Sequence, residues 1–257
     1  MYYINKFFEV LSSFFRYFIS DKHKLNHKYQ NKNQIVNTNF ILHSLQSKNF
    51  NPKFIVDVGC GYGEWTKKMI KYFPNSNFFL YDANEENKEK LEKLCEKNKN
   101  ISYQINLLTN DNKSYKFFKM GYGSSIFEEQ TNHKREIIEL KSKKLSDVLP
   151  EIVANANNNL IKLDVQGSEL KILDGLGNQL NHFEIIIMET SIHKYNKNAP
   201  LFNEIIEYMN DKNYTLYDLF DFKRTGNEKS FLLQVDCVFV RKDSKLLKVN
   251  YKVLGKK

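Results

Sequence analysis

A chain of 257 residues holds one large domain or two small ones, and its 41% hydrophobic content is enough for a buried core. Its three cysteines, Cys60, Cys95 and Cys237, are odd in number and widely spaced, which excludes a disulfide framework or a zinc ligand spacing and favours a reducing compartment. The net charge of +9 sits at the ends, +6 in residues 1–53 and +6 in residues 241–257 against −3 in residues 54–240, so the middle lacks the basic stripe of a nucleic-acid grip.

Residues 1–20 predict an amphipathic helix, because Ile4, Phe7, Phe8, Leu11, Phe14, Phe15 and Phe18 follow the three-four spacing of one face. Asn5, Lys6, Glu9 and Arg16 make it too polar to span a bilayer. It also lacks the basic start and small-residue cleavage site of a signal peptide. Its expected roles, in order, are packing on the core, a dimer contact that would make a homo-oligomer, and peripheral anchorage on a membrane surface. A Lys-rich linker over residues 21–32 and a helix over 34–47 complete an N-terminal extension of residues 1–50.

Residues 54–58 are apolar apart from Asp57 and predict a buried parallel strand. Gly59, Gly61 and Gly63 follow at alternate positions, and a helix begins at Glu64. Strand, glycine turn and helix make a nucleotide-cofactor loop, in which the backbone approaches the ligand closely. A dinucleotide loop needs a third glycine where Glu64 stands, and Glu64 would repel a pyrophosphate. A cofactor without phosphate, S-adenosylmethionine, fits better than NAD. Residues 77–81 predict the next strand, and Asp82 ends it, 23 residues after Gly59, where a carboxylate can accept from both ribose hydroxyls. The cofactor-binding set read from this stretch is Asp57, Gly59, Cys60, Gly61, Gly63, Asp82 and Ala83.

Helices follow over residues 65–73 and 85–97, the second with acids early and lysines late, as the helix dipole prefers. A third strand is expected over 101–107, placing Asn106 and Leu107 near an adenine ring. A short strand over 115–119, a small-residue loop over 121–127 that either covers the site or makes an ordinary surface excursion, and a strand over 135–140 come next. The fourth strand, 159–164, ends in Asp164, and residues 165–168 turn into a helix through 173. The fifth, 183–188, ends at Glu189, with His193 just beyond. A helix over 201–209 precedes strands over 214–218 and 234–241, read as an antiparallel pair. Strand-helix alternation predicts an α/β, doubly wound, mostly parallel sheet.

Several of these segments together are similar to one family. Val56-Asp-Val-Gly-Cys-Gly-Tyr-Gly, Gly123-Ser-Ser, Ile161-Lys-Leu-Asp-Val-Gln-Gly-Ser-Glu-Leu-Lys-Ile-Leu-Asp-Gly, Met188-Glu-Thr and Gln234-Val-Asp-Cys-Val-Phe-Val occur in the order found in the FkbM methyltransferases. The chain therefore resembles the FkbM family of S-adenosylmethionine-dependent methyltransferases over roughly residues 50–242. The resemblance implies a Rossmann-like class I methyltransferase fold over residues 51–242, with residues 243–257 as a basic tail. It also implies O-methylation of a hydroxyl on a sugar, glycan or other small metabolite, with polysaccharide biosynthesis as one setting. The family often has Glu where Gln166 stands, and usually Glu where Asp82 stands.

Methyl transfer to a hydroxyl needs alignment of the acceptor and a base for its proton. Asp164, Glu189 and His193 fall at or beyond strands four and five and are the catalytic candidates, Asp164 also facing the cofactor. No spacing demands a metal, and none is expected. A cytoplasmic enzyme is expected, at the membrane surface if residues 1–20 dock there. The competing functions are an RNA-directed methyltransferase, which the basic ends would serve, and a non-catalytic cofactor fold using its N-terminal helix to bind a partner or membrane.

Overall fold

The computed structural model describes residues 36–248. The predicted helix over residues 1–20, the linker over 21–32 and residues 249–257 of the tail lie outside the described residues. The first described helix, α1, runs Thr38–Ser47 and is N-capped by Asn37, whose side chain accepts from the Phe40 N–H. Ile41, Leu42 and Leu45 form its buried face.

The strands in chain order are β1 (Phe54–Val58), β2 (Asn77–Asp82), β3 (Ile101–Ile105), β4 (Leu107–Thr109), β5 (Ser114–Lys119), β6 (Glu136–Lys144), β7 (Asn159–Leu163), β8 (Phe183–Ser191), β9 (Tyr214–Thr225) and β10 (Phe231–Arg241). Seven of them make one sheet in the order β3-β2-β1-β7-β8-β10-β9. The first five run parallel, and β10 pairs antiparallel with both β8 and β9. This is the Rossmann-like class I methyltransferase arrangement expected from the sequence. All five residues of β1 and of β7 are buried, as a parallel strand covered on both faces requires.

The longer helices are α2 (Glu64–Tyr72), α3 (Lys88–Lys97), α6 (Glu169–Leu176) and α7 (Phe202–Asp211). On one face of the sheet, Val56, Ile161, Ile186 and Phe239 pack with Ile172 and Leu176 of α6 and Met209 of α7. The chain order reverses between β1 and β7, and at such a point ligands enter above the carboxyl ends of the strands.

The structure corrects several predicted bounds. The third strand is not continuous to residue 107. The Asn106 N–H donates to the Asp82 carbonyl at 2.8 Å, and beyond it β4 pairs with β6 in a second, three-stranded sheet ordered β4-β6-β5. Glu189 does not end its strand, because β10 holds β8 as far as Ser191, paired with Gln234. Two four-residue helices, α4 (Leu145–Val148) and α5 (Glu151–Ala154), join β6 to β7. They are too short to show a periodicity. The start of the expected tail is packed on the domain: Leu246 is buried, and the buried Ser244 hydroxyl donates to the Glu184 carboxylate. Among the described residues no helix is long and apolar enough to cross a membrane.

Candidate active site

The glycine loop is shaped by what presses on it. Gly59 has φ +72°, and a Cβ there would lie 2.0 Å from the Asp164 main-chain oxygen. Its N–H and that of Cys60 both donate to the Tyr81 carbonyl, at 2.8 and 3.2 Å. The loop is thus clamped between the ends of β2 and β7. Gly63, with φ +76°, turns the chain into α2, and a Cβ there would lie 2.4 Å from a Leu94 methyl of α3.

Asp82 closes the far side. One carboxylate oxygen accepts from the Gly61 N–H at 2.8 Å; the other accepts from the Asn84 N–H at 2.8 Å and the Asn87 amide at 3.0 Å. Burial raises its pKa, and these three hydrogen bonds work against that rise. Asp82 therefore holds the loop in shape, and a carboxylate with about four acceptor positions keeps room for a ligand hydroxyl.

Gly59, Gly61, Asp82, Ala83, Asn106, Leu107 and Asp164 all line one cavity at the carboxyl ends of β1, β2 and β7. Phe117 of β5 and Gly121, Ser124, Ser125 and Ile126 of the small-residue loop line the same cavity. The Ser125 hydroxyl donates to the Gln166 carbonyl at 2.9 Å, tying that loop to the turn after β7.

Three of the expected cofactor residues stand elsewhere. Gly63 and Cys60 do not line the cavity; Gly63 serves packing, and burial pushes the Cys60 thiol well above its ordinary value. Asp57 is also absent from the wall, because strand alternation turns it onto the α2 face. It is fully buried and accepts from the Thr66 hydroxyl at 2.6 Å. Its other oxygen lies 3.6 Å from the ammonium of Lys162, which lies 3.2 Å from Asp164. Burial alone would lower the Lys162 pKa, but Asp164 and Asp57 raise it above the ordinary value, so this buried lysine is charged. A lysine inside an otherwise apolar strand was a visible signal of this ion cluster.

Of the catalytic candidates, the structure joins Asp164 and Glu189 and leaves His193 apart. The Gln166 amide donates to both carboxylates, at 3.2 Å to Asp164 and 2.7 Å to Glu189. Gln166 sits at φ +56° and accepts from the Tyr195 hydroxyl at 2.6 Å. Glu189 is buried and also accepts from Lys223 and Gln234. His193 is exposed, stacked on Phe231 with ring centroids 4.0 Å apart, and does not line the cavity. Burial raises the Asp164 pKa, but Lys162 and Lys223 outweigh it and leave it below the ordinary value. Already engaged by Lys162 and Gln166, Asp164 is placed to orient a bound group. Among the described residues no group of three or more His, Cys, Asp and Glu side chains is placed to hold a metal ion.

Glu169 has a different task. Its buried carboxylate accepts from the Val165 and Gly167 N–H groups at 3.2 and 3.1 Å and fastens the turn into α6. Burial lifts its pKa to about 7 in spite of those bonds. A raised carboxyl pKa is a stability contribution complete below the unfolded value of about 4.3 and lost as pH rises through the folded one. Glu169→Gln keeps the one oxygen that accepts from both N–H groups and has no proton to lose. It is expected to change little at pH 4 and to stabilise the fold at pH 8, by about 2–3 kcal/mol. Urea unfolding at the two pH values checks this; equal effects at both would contradict it.

The family profile described as "Methyltransferase FkbM domain" matches residues 49–216. No curated protein matches the sequence. Among solved structures, the chain is similar to the precorrin-6y C5,15-methyltransferase of Geobacter metallireducens, at 14% identity over 82% of this chain and 91% of that one, with a TM-score of 0.45. It is similar to an S-adenosylmethionine-dependent methyltransferase of Clostridium acetobutylicum at 12% identity over 93% and 98% of the two chains, with a TM-score of 0.46. It is similar also to the 1,6-didemethyltoxoflavin-N1-methyltransferase of Burkholderia thailandensis at 11% identity over 93% and 90%, with a TM-score of 0.42.

Proposed function

The chain belongs to the FkbM methyltransferase domain family, and from that premise we propose that it moves the methyl group of S-adenosylmethionine to a hydroxyl of a sugar, glycan or similar small polyhydroxylated acceptor. One observation carries the cofactor reading: the glycine loop, Asp82, Asn106 and Asp164 line a single cavity under the 121–126 loop. A buried carboxylate in its wall would repel a phosphate and accept from ribose hydroxyls, which suits a phosphate-free nucleoside. The bound cofactor supplies a methyl group made electrophilic by its sulfonium. The protein's share is placement: the glycine loop seats the nucleoside, the 121–126 loop keeps water out, and Asp164 stands at the boundary with the acceptor. On the acceptor side Asp164, Gln166, Glu189 and Tyr195 form a polar network, and a partner rich in hydroxyls exchanges hydrogen bonds with such a surface at little desolvation cost. Three free cysteines fit a reducing cytoplasm.

Asp82→Ala removes the loop's clamp as well as a ribose acceptor. S-adenosylhomocysteine should bind the native protein in calorimetry and the variant roughly 10–100-fold more weakly. Methyl-labelled S-adenosylmethionine offered with mono- and oligosaccharides and with RNA then tests the acceptor class. Label on saccharide supports the proposal, and label on RNA alone would reject it.

A further inference from the structure

Three carboxylates lie in one row across the sheet, beside the cofactor cavity. Leu163 of β7 pairs with Met188 of β8, so Asp164 and Glu189 come next on each strand, and Glu189 pairs with Asp236 of β10. Residues paired across neighbouring strands share a face. The contacts agree, since Gln166 spans Asp164 and Glu189. At about 4.8 Å per strand, Asp236 sits roughly 10 Å along the row from Asp164. Asp236 does not itself line the cavity that Asp164 lines; the row leads to it from the cavity's edge through Gln166 and Glu189.

The three differ in what they can still accept. Asp164 is engaged by Lys162 and Gln166. Glu189 already accepts from Gln166, Lys223 and Gln234. Asp236 differs: its Oδ1 is sealed from solvent with no hydrogen-bond partner, while the residue as a whole is half-buried. Native folds leave few buried carboxylate oxygens in this state, and such a group gains by taking a proton.

We propose that Asp236 is the general base that takes the acceptor's hydroxyl proton, a role that rests on the methyltransferase reading above. The acceptor oxygen forms its bond to the methyl carbon as the carbon–sulfur bond breaks. That bond's electron pair stays on sulfur and leaves a neutral thioether. The hydroxyl proton passes to the Asp236 carboxylate and then to water. Asp164 and Glu189, held by their partners, orient the acceptor. The charged groups facing Asp236 are Lys162 and Asp164 from β7 and its end, Glu189 from β8, and Asp221 and Lys223 from β9. Burial pushes the Asp236 carboxyl to about 6, Lys223 and Lys162 pulling it down and Asp164 and Asp221 pushing it up. A base is most effective with its pKa near the working pH.

Asp236→Asn keeps the side-chain shape. It should leave S-adenosylhomocysteine affinity unchanged and, by removing a charge that burial disfavours, keep or raise the unfolding midpoint at neutral pH, while methyl transfer to whichever saccharide the native enzyme labels falls by roughly 10²–10⁴-fold. The acid limb of the native kcat/KM profile, expected near pH 6, should vanish in the variant. Activity within threefold of native, or a loss that merely tracks lost cofactor binding, overturns the assignment. A second readout needs no acceptor. In aspartate-labelled protein with S-adenosylhomocysteine bound, the carboxyl resonance missing from the variant should titrate near pH 6, and a midpoint under pH ~5 rejects the base role. Native protein that binds no S-adenosylhomocysteine sinks the methyltransferase reading and this proposal together. A variant that binds it and still transfers sinks the proposal alone.

Discussion

Gly59→Ala is expected to cost about 3 kcal/mol or more of stability and to weaken S-adenosylhomocysteine binding by over 100-fold. The left-handed backbone at φ +72° is one part of that cost. The larger part is contact: the new methyl would lie 2.0 Å from the Asp164 main-chain oxygen and 2.8 Å from its carbonyl carbon. Backbone cannot swing aside as a side-chain tip can. Relief would need β1 and β7 to part where the Asp164 N–H donates to the Val58 carbonyl at 3.0 Å, which also opens the cavity that Gly59 and Asp164 line. Gly121→Ala is the control. It has a similar φ of +59° but nothing within 4 Å of the added carbon, so only the backbone cost of roughly 1 kcal/mol should remain. Thermal unfolding and calorimetry on the two variants decide the matter, and equal losses would show that close packing at Gly59 is not the cause.

Lys162→Met should destabilise the fold by roughly 3–5 kcal/mol at neutral pH, since it leaves Asp57 buried without its counter-ion. Asp57 already has a raised pKa, chiefly from burial, and Lys162 is the largest influence holding it down. Without the lysine that pKa climbs further. A raised carboxyl pKa stabilises below the unfolded value and is lost as pH rises, so the variant's deficit should grow from pH 5 to pH 8. Adding Asp57→Asn should recover part of it, because a neutral amide can still accept from Thr66. Urea unfolding across that range is the measurement. A deficit under 1 kcal/mol, or one that shrinks with pH, would mean that the cluster is well solvated.

Much of the framework was legible from residues close together in the chain. β1 and the start of α2 fall where the apolar run and the glycines place them, because a doubly covered strand is continuously apolar and the turn after it must tolerate positive φ. Asp82 was found because it ends a mostly apolar strand one crossover later. The antiparallel last pair was found too, although β9 runs seven residues beyond its expected end. Asp57 was misplaced for a physical reason. Its neighbours in sequence belong to the loop, but its side chain points to the opposite face, toward Thr66 and Lys162.

By itself the sequence determined the family, the sheet class, the cofactor loop and the pairing of Asp164 with the turn that follows it. The sheet class and the loop depend on periodicity, glycine positions and short spacings, and the family on the resemblance of several short motifs, all of which are local. Only the tertiary structure decided which polar groups meet. Gln166 reaches Glu189, and Glu189 reaches Lys223 and Gln234, across separations of 23, 34 and 45 residues. Those contacts depend on the register of β8, β9 and β10, and a shift of one residue would turn every side chain to the other face. The same register set Asp236 beside Glu189 and left His193 outside, stacked on Phe231.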